Sequence, residues 1–266
     1  KEEIEELITN YNVDGIHFDD YFYPSGGIET KYETEDYNNY KLSGGTLDIE
    51  DWRRDNVDRM VKRVSDVVAN YNEKNPEQYT AFGISPAPVW APSTENCGYD
   101  SNRGQADGMQ VPCGSYSTYN DLYADTKKWV ENEWLDYILP QAYTTLGSNY
   151  KEIVSWWSRV CSKTNVKLYV GTGVYMYENG NWTDPDELMN QFAYVEGNTL
   201  TKTYVSGYVL FSYRNLLSSN NNCSKAMNKL IIKWKGSALH PTYREEANPI
   251  TEEFEFSMIK LSNKYL

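Results

Sequence analysis

The chain has 266 residues, enough to bury the core of one large α/β domain, and carries a formal net charge of −13 at pH 7. So acidic a protein is a poor partner for nucleic acid. No run of about 18 apolar residues occurs, so no membrane-spanning helix is predicted. Tyrosine (24 residues) and tryptophan (8) are abundant, and their flat rings with a polar tip suit the faces of sugars.

Predicted strands alternate five times with predicted helices, which favours a parallel sheet with helices outside it. Residues 236–266 leave this pattern, so 1–235 is predicted as the domain and 236–266 as an extension or linker. In chain order the elements are a helix at 1–10, a strand at 13–19, a long loop at 24–50, a helix at 52–71, a strand at 81–86, a long loop at 87–118, a helix at 119–132, a strand at 136–143, a helix at 149–163, a strand at 166–175, a helix at 185–199, a strand at 205–212 and a helix at 219–233.

The first predicted strand runs directly into two adjacent carboxylates, in the stretch VDGIHFDDYFYP at 13–24. Side chains alternate along a strand, so His17 and Asp19 lie on the face opposite Ile16 and Phe18. Burying a His and an Asp without a use is costly, and the C-terminal ends of barrel strands carry catalytic groups. Asp19 is therefore the first predicted catalytic residue and Asp20 the second. The alternative for Asp20 is that it caps a loop or binds an arginine.

The other strand ends also carry polar or aromatic side chains. An open doubly wound sheet would fit five β/α units, but no Gly-rich phosphate-binding turn follows the first strand. Convergence of such side chains on one face is typical of a β/α barrel. The residues concerned are Ser85, Gln141, Tyr143, Tyr175, Tyr177, Ser212 and Tyr213.

Seven ordered motifs, VDGIHFDDYFYP, WRRDNV, FGISP, LYADTKKWV, WLDYILPQAY, LYVG and VSGYVLFS, carry a family resemblance. From about Ile4 to Tyr243 the chain resembles the glycosyl-hydrolase-like family ten proteins, bacterial envelope proteins with a (β/α)8 barrel. The resemblance implies that the first motif is barrel strand four, so strands one to three are missing. The chain is then a fragment of a longer polypeptide, or a partner supplies the N-terminal half of the barrel.

The resemblance also implies a function. Some members are glycosidases that cut peptidoglycan strands lacking peptide stems, so the expected protein is a secreted or cell-envelope hydrolase of a cell-wall or related polysaccharide. The alternative is a non-catalytic glycan-binding barrel. A polysaccharide deacetylase is a remoter alternative, because it would need a metal with His ligands and the chain has only two His. No metal or cofactor is predicted.

Glycoside hydrolysis normally uses two carboxyl groups. Besides Asp19 and Asp20, the candidates are Asp125, which either leans over the site or caps a helix, and the acids of the 87–118 loop; the substrate's own N-acetyl group is a further alternative. Asp14 and Asp136 begin their strands and are predicted to be structural. The predicted sugar-binding residues are His17, Tyr21, Arg54, Ser85, Trp90, Gln141, Tyr143 and Tyr175, with Trp182 and Tyr177 as further stacking candidates.

The four cysteines lack the spacing of a metal site. Cys97 and Cys113 bracket a loop rich in Gly, Ser, Asn and Asp, where a disulfide would be most useful in an oxidising compartment. They are predicted to bridge, whereas Cys161 and Cys223 are predicted to be buried thiols in helices.

Overall fold

The sheet contains five parallel strands in the order β1-β2-β3-β4-β5, which confirms the predicted parallel sheet in chain order. It is seen in a computed structural model that describes residues 2–20, 22–24, 28–98 and 101–235. Tyr21 and the predicted extension at 236–266 lie outside the described residues. The strands are β1 (Gly15–Phe18), β2 (Ala81–Ile84), β3 (Tyr137–Ile138), β4 (Lys167–Gly173) and β5 (Val205–Phe211).

The connections between the strands are helical, as an alternating β/α order requires. None of the described helices is both long enough and apolar enough to cross a membrane. The α-helices are α1 (Glu2–Asn10), α2 (Thr34–Leu42), α3 (Ile49–Lys74), α4 (Thr94–Cys97), α5 (Thr118–Asp121), α6 (Thr126–Glu131), α7 (Tyr150–Cys161), α8 (Glu187–Gly197), α9 (Thr199–Tyr204), α10 (Tyr213–Leu216) and α11 (Asn221–Lys233), with 3₁₀ turns at Thr30–Tyr32 and Val174–Tyr177.

Helix α3 shows how the sequence pattern forms the helical layer. Val57, Val61, Val64 and Val68 recur at helical spacing and are all buried. Asp48 caps the helix by accepting a hydrogen bond from the backbone N–H of Asp51 at 2.8 Å, which satisfies one of the free donors of the first turn. The predicted helix is confirmed, and it is longer at both ends than the apolar pattern alone indicates.

The two faces of the sheet differ sharply. Ile16, Phe82, Ile84, Ile138 and Leu168 are buried in the main core. The opposite face carries His17 and Tyr137, and the Tyr137 ring fills the space over Gly83, where a Cβ would lie 2.2 Å from the ring. On the same face, Val209 and Phe211 of β5 are 41% and 52% exposed. This open apolar face is compatible with part of a barrel.

The strand predicted at 136–143 is reduced to β3 (Tyr137–Ile138), and three further predicted segments differ from the structure. The loop at 24–50 contains α2, which has no buried side chain and therefore no apolar stripe for a pattern to detect. The helix predicted at 119–132 is broken into α5 and α6 by Tyr123, whose φ is 50°. The helix predicted at 185–199 ends at Gly197, and Asn198 caps the additional helix α9.

The predicted disulfide is confirmed: Cys97 and Cys113 are bonded, with their Cα atoms 4.8 Å apart. Arg103 lies inside the closed loop and donates from Nε to the carbonyl oxygen of Cys113 at 3.2 Å and from its terminal nitrogens to Asp121. Cys161 and Cys223 are free and buried, also as predicted. The long connection after β2 is therefore a cross-linked lobe rather than an open loop.

Loss of this disulfide is expected to destabilise the fold. A cross-link across 16 residues restricts the unfolded chain, and closing a loop of that size contributes about 3 kcal/mol. A reductant should lower the thermal unfolding temperature of the parent protein to that of the Cys97→Ala/Cys113→Ala variant and should not change the variant itself. Equal melting of the parent with and without reductant would contradict this.

Candidate active site

Asp19 lies at the C-terminal end of β1 and is the centre of a hydrogen-bonded cluster. Its Oδ1 atom accepts from Gln141 Nε2 at 2.9 Å, from the backbone N–H of Asp20 at 2.9 Å and from Ser85 Oγ at 3.3 Å. Gln141 Nε2 also donates to the carbonyl oxygen of Ser85 at 2.9 Å. These contacts tie together the ends of β1 and β2 and the residues after β3, so the carboxylate is held in one orientation although the residue is exposed.

His17 extends the cluster along the strand. Its Nε2 lies 2.9 Å from Ser85 Oγ, and its Nδ1 lies 2.9 Å from the hydroxyl of Tyr137. Burial lowers the pKa of His17, and the opposing effect of Asp19 is smaller, so the neutral ring is favoured. A neutral ring with its proton on Nε2 donates to Ser85 and accepts from Tyr137, which leaves the Ser85 proton for Asp19.

Asp20 differs from Asp19 in its electrostatics. Burial raises the pKa of Asp20, and the neighbouring Asp19 raises it further. The side-chain amide of Gln141 acts in the opposite direction, because it favours the charged form of Asp20. Of the two adjacent carboxyl groups, Asp20 therefore keeps its proton to a higher pH than an isolated aspartate does.

Three aromatic rings lie near these acids. Tyr143 stacks against Phe211 with centroids 5.8 Å apart, and Tyr175 meets both rings edge-on at 5.7 and 6.2 Å. Burial raises the pKa of Tyr143, and Asp19, Tyr175 and Asp20 raise it further, so its hydroxyl stays protonated. Rings of this kind, partly exposed beside hydrogen-bonding groups, provide a surface for a sugar ring.

Asp125 is held in the helical layer. It caps α6 by accepting from the backbone N–H of Lys128 at 3.3 Å, and it accepts from Trp90 Nε1 at 2.8 Å. Burial raises its pKa. Of the two roles left open by the sequence, the structure therefore gives it that of a helix cap.

The prediction that Trp90 binds sugar is wrong. Trp90 is only 5% exposed and lies between Trp156 and Tyr119, with centroid separations of 5.5 and 5.4 Å. Trp182 and Tyr177 are likewise buried against each other in a second core cluster. Their position after strand ends suggested the cleft, but packing between helices determines where these rings point.

Arg54 also differs from its predicted role in sugar binding. It pairs with Asp51 at 2.8 Å, donates to the carbonyl oxygen of Tyr119 at 3.1 Å, and is buried at the start of α3. Its neighbour Arg53 pairs with Glu33.

Most of the other predicted site residues lie close together. The structure brings together His17, Asp19, Asp20, Ser85 and Gln141, and places Tyr143 and Tyr175 beside them. Sequence reasoning missed Tyr137, Phe211 and Tyr169, whose ring meets that of Tyr137 edge-on with centroids 5.8 Å apart. Tyr137 could have been found because it shares strand parity with Gln141 and Tyr143. Asp136 accepts from the backbone N–H of Phe82 at 2.7 Å and from Tyr79, as expected for a structural residue.

The chain belongs to the glycosyl hydrolase-like 10 family, whose profile matches residues 1–187. The resemblance inferred from the motifs is thereby confirmed, although the matched region ends at the first residue of α8 and does not include β5.

Curated relatives agree with this assignment. The chain is 35% identical over 196 residues to the glycosyl hydrolase YngK of Bacillus subtilis (strain 168), an alignment that covers 71% of this chain and 35% of YngK. It is 32% identical over 190 residues to the glycosyl hydrolase DigH of Escherichia coli (strain K12), covering 70% of this chain and 39% of DigH. The aligned part of the chain thus spans between a third and two fifths of the curated relatives it matches.

Proposed function

We propose that the chain is the C-terminal portion of a (β/α)8 glycoside hydrolase, secreted or held in the cell envelope, that cleaves a bacterial cell-wall or related polysaccharide. The observation that carries the proposal is the placement of Asp19 and Asp20 at the C-terminal end of a parallel strand, with Asp19 fixed by Ser85 and Gln141. The end of a β/α strand is where such enzymes hold their acids. Family membership supports hydrolysis of O-glycosyl bonds.

The proposed division of labour follows the environments of the two acids. Asp20 is the general acid, because its raised pKa keeps a proton available for the leaving oxygen. Asp19 is the second carboxyl group. The three hydrogen bonds described above all end at its Oδ1, which leaves Oδ2 to act on water or on the sugar. Gln141 orients Asp19, and Tyr143 and Tyr175 contact the sugar face.

The open inner face of the sheet supports the barrel proposal. Val209 and Phe211 lie on the same side of the sheet as His17 and are largely exposed. Burial of such side chains is favourable by about 25 cal/mol per Å² of apolar surface. Strands one to three of a barrel, from the same polypeptide or from a partner, would cover this face.

The test of the proposed function is release of soluble sugar from peptidoglycan glycan strands that lack peptide stems, measured with the intact protein.

A second candidate function is a non-catalytic glycan-binding barrel. One observation favours it: Asp125 is committed to a helix cap, which leaves Asp19 and Asp20 as the acids that the described residues place in this cluster. Glycan retention without any released sugar would identify the binding module and contradict hydrolysis.

The alkaline limb of the pH profile should depend on Gln141. If Asp20 is the general acid, activity falls as the pH rises through the Asp20 pKa, because the proton is lost. The Gln141 side chain lowers that pKa, so Gln141→Leu should move the limb to higher pH. The measurement is kcat/KM against pH for both proteins. A limb that stays in place or moves to lower pH would contradict the assignment of Asp20.

A further inference from the structure

A cavity of about 490 Å³ lies beside the loop that follows β1, and no member of the Asp19 cluster lines it. Small-molecule sites are concave and combine apolar or aromatic walls with a few polar groups, at volumes of about 300–1,000 Å³. This cavity has that composition. Its main lining residues are the aromatic Phe22, Tyr23 and Trp52 and the polar Glu33, Asp36 and Asn56.

Glu33 is the most informative of these residues. Its side chain is 7% exposed and forms an ion pair with Arg53, in which Glu33 Oε1 accepts from Arg53 Nε at 2.9 Å. The second oxygen, Oε2, is buried and has no hydrogen-bond partner among the described residues. An unsatisfied buried acceptor costs about 1–3 kcal/mol, so a donor supplied by a ligand would be stabilising.

The charge balance around Glu33 favours a neutral hydrogen-bond donor at that residue. Arg53 already neutralises Glu33, and its guanidinium also lies 4.7 Å from the centroid of the Tyr123 ring and donates to the Tyr123 hydroxyl at 2.8 Å. An ammonium group beside the same carboxylate would approach this guanidinium and be repelled by it. A hydroxyl group donates a hydrogen bond without adding charge. Aromatic walls together with a hydroxyl-binding acid suit a sugar ring.

The cavity is close to the proposed catalytic acids along the chain. The backbone N–H of Phe22 donates to the carbonyl oxygen of Asp20 at 3.1 Å. Tyr23 follows Asp19 by four residues, and four residues of fully extended chain span at most about 14 Å. A glycan of several sugars bound near Asp19 is therefore long enough to reach the cavity.

We infer that this cavity is a saccharide-binding subsite, distinct from the strand-end cleft, that takes one neutral sugar ring of the glycan. The aromatic side chains contact the ring faces, and Glu33, Asp36 and Asn56 bind its hydroxyl groups. The inference rests on the proposed function for the kind of polymer that is bound, but it does not require that the polymer be cleaved.

The test compares two triple variants of the intact protein, both built on a parent that carries Asp19→Asn so that no sugar is consumed. Asp36→Ala/Asn56→Ala removes two polar groups from the cavity lining. Glu35→Ala/Asn39→Ala likewise removes one acid and one asparagine, from exposed positions of α2 that do not line it. Binding of an N-acetylglucosamine tetrasaccharide is measured by calorimetry, and thermal melts check folding. If Asn56→Ala disturbs the fold, Asp36→Ala alone is compared with Glu35→Ala.

The cavity variant is expected to bind the tetrasaccharide roughly tenfold more weakly than the control variant, as loss of two modest hydrogen bonds implies. In the parent, the tetrasaccharide should also slow amide exchange in 28–42. Equal affinities for the two variants would overturn the subsite while leaving the proposed hydrolysis intact. A clear difference between the two variants, together with a protein of the original sequence that releases no sugar, would leave the subsite standing and remove the hydrolase. Absence of tetrasaccharide binding by the parent would overturn the subsite.

Discussion

Replacement of Asp19 by Asn is expected to lower sugar release from stem-free glycan strands by roughly 10²–10⁴-fold, the range typical for loss of a positioned acid or base. An amide cannot ionise, so it cannot act as a base, an acid or a nucleophile. The fold should be retained, because the contacts to Gln141, Ser85 and the Asp20 backbone all end at Oδ1, and an amide oxygen accepts the same hydrogen bonds.

The matched control for this experiment is Asp14→Asn, which makes the same chemical change at an exposed residue just before β1. Asp136→Asn is a second control. Its main effect should be on the melting temperature rather than on turnover, because Asp136 accepts a hydrogen bond from the Phe82 backbone. Turnover on the glycan strands is measured beside a thermal melt for each protein. Near-normal turnover by Asp19→Asn would show that the catalytic assignment is wrong and would direct attention to the acids of the 87–118 lobe.

Replacement of Arg53 by Met is expected to reduce the free energy of unfolding by about 3–5 kcal/mol, because it leaves Glu33 as a buried charge without its partner. The Arg53 and Glu33 side chains are only 9% and 7% exposed. Glu33 immediately precedes α2 and Arg53 lies in α3, so the pair joins these two helices. Denaturant-induced unfolding provides the measurement.

Arg59→Met is the control, since Arg59 lies in the same helix and forms an exposed ion pair with Asp55 at 2.9 Å. Exposed pairs contribute about 0–1 kcal/mol. The double variant Arg53→Met/Glu33→Leu should recover much of the lost stability, because no buried charge remains. If Arg53→Met is no less stable than Arg59→Met, the pair does not stabilise the fold in this way.

Much of the site could be predicted from local sequence. Strand parity places His17 and Asp19 on one face of β1, and it would have placed Tyr137 with Gln141 had it been applied to the whole third strand. The β/α alternation predicted the order of the strands. These predictions succeed because the period of a strand and the handed β/α connection are local properties of the backbone.

Long-range packing determined the rest. Trp90 follows a strand end, as the residues of the site do, yet it is buried in the helical layer, and Arg54 at the start of α3 is buried there as well. From its position in the sequence, Asp125 could face the strand-end acids or cap a helix. In the folded chain it caps α6 and also accepts a hydrogen bond from Trp90 Nε1. Helix α2 has no apolar stripe, and its connection to α3 through Glu33 and Arg53 depends on residues 20 positions apart.

The sequence by itself determined the family, the parallel β/α order, the disulfide between Cys97 and Cys113 and the face of the strand on which Asp19 lies. Only the tertiary structure decided which of the many acids and aromatic rings meet at that face, and it identified the cavity lined by Tyr23, Trp52 and Glu33. The physical reason is that strand period and helix spacing are encoded within a few residues. Hydrogen bonds such as that from Gln141 to Asp19 join residues 122 positions apart and form only when the sheet is assembled.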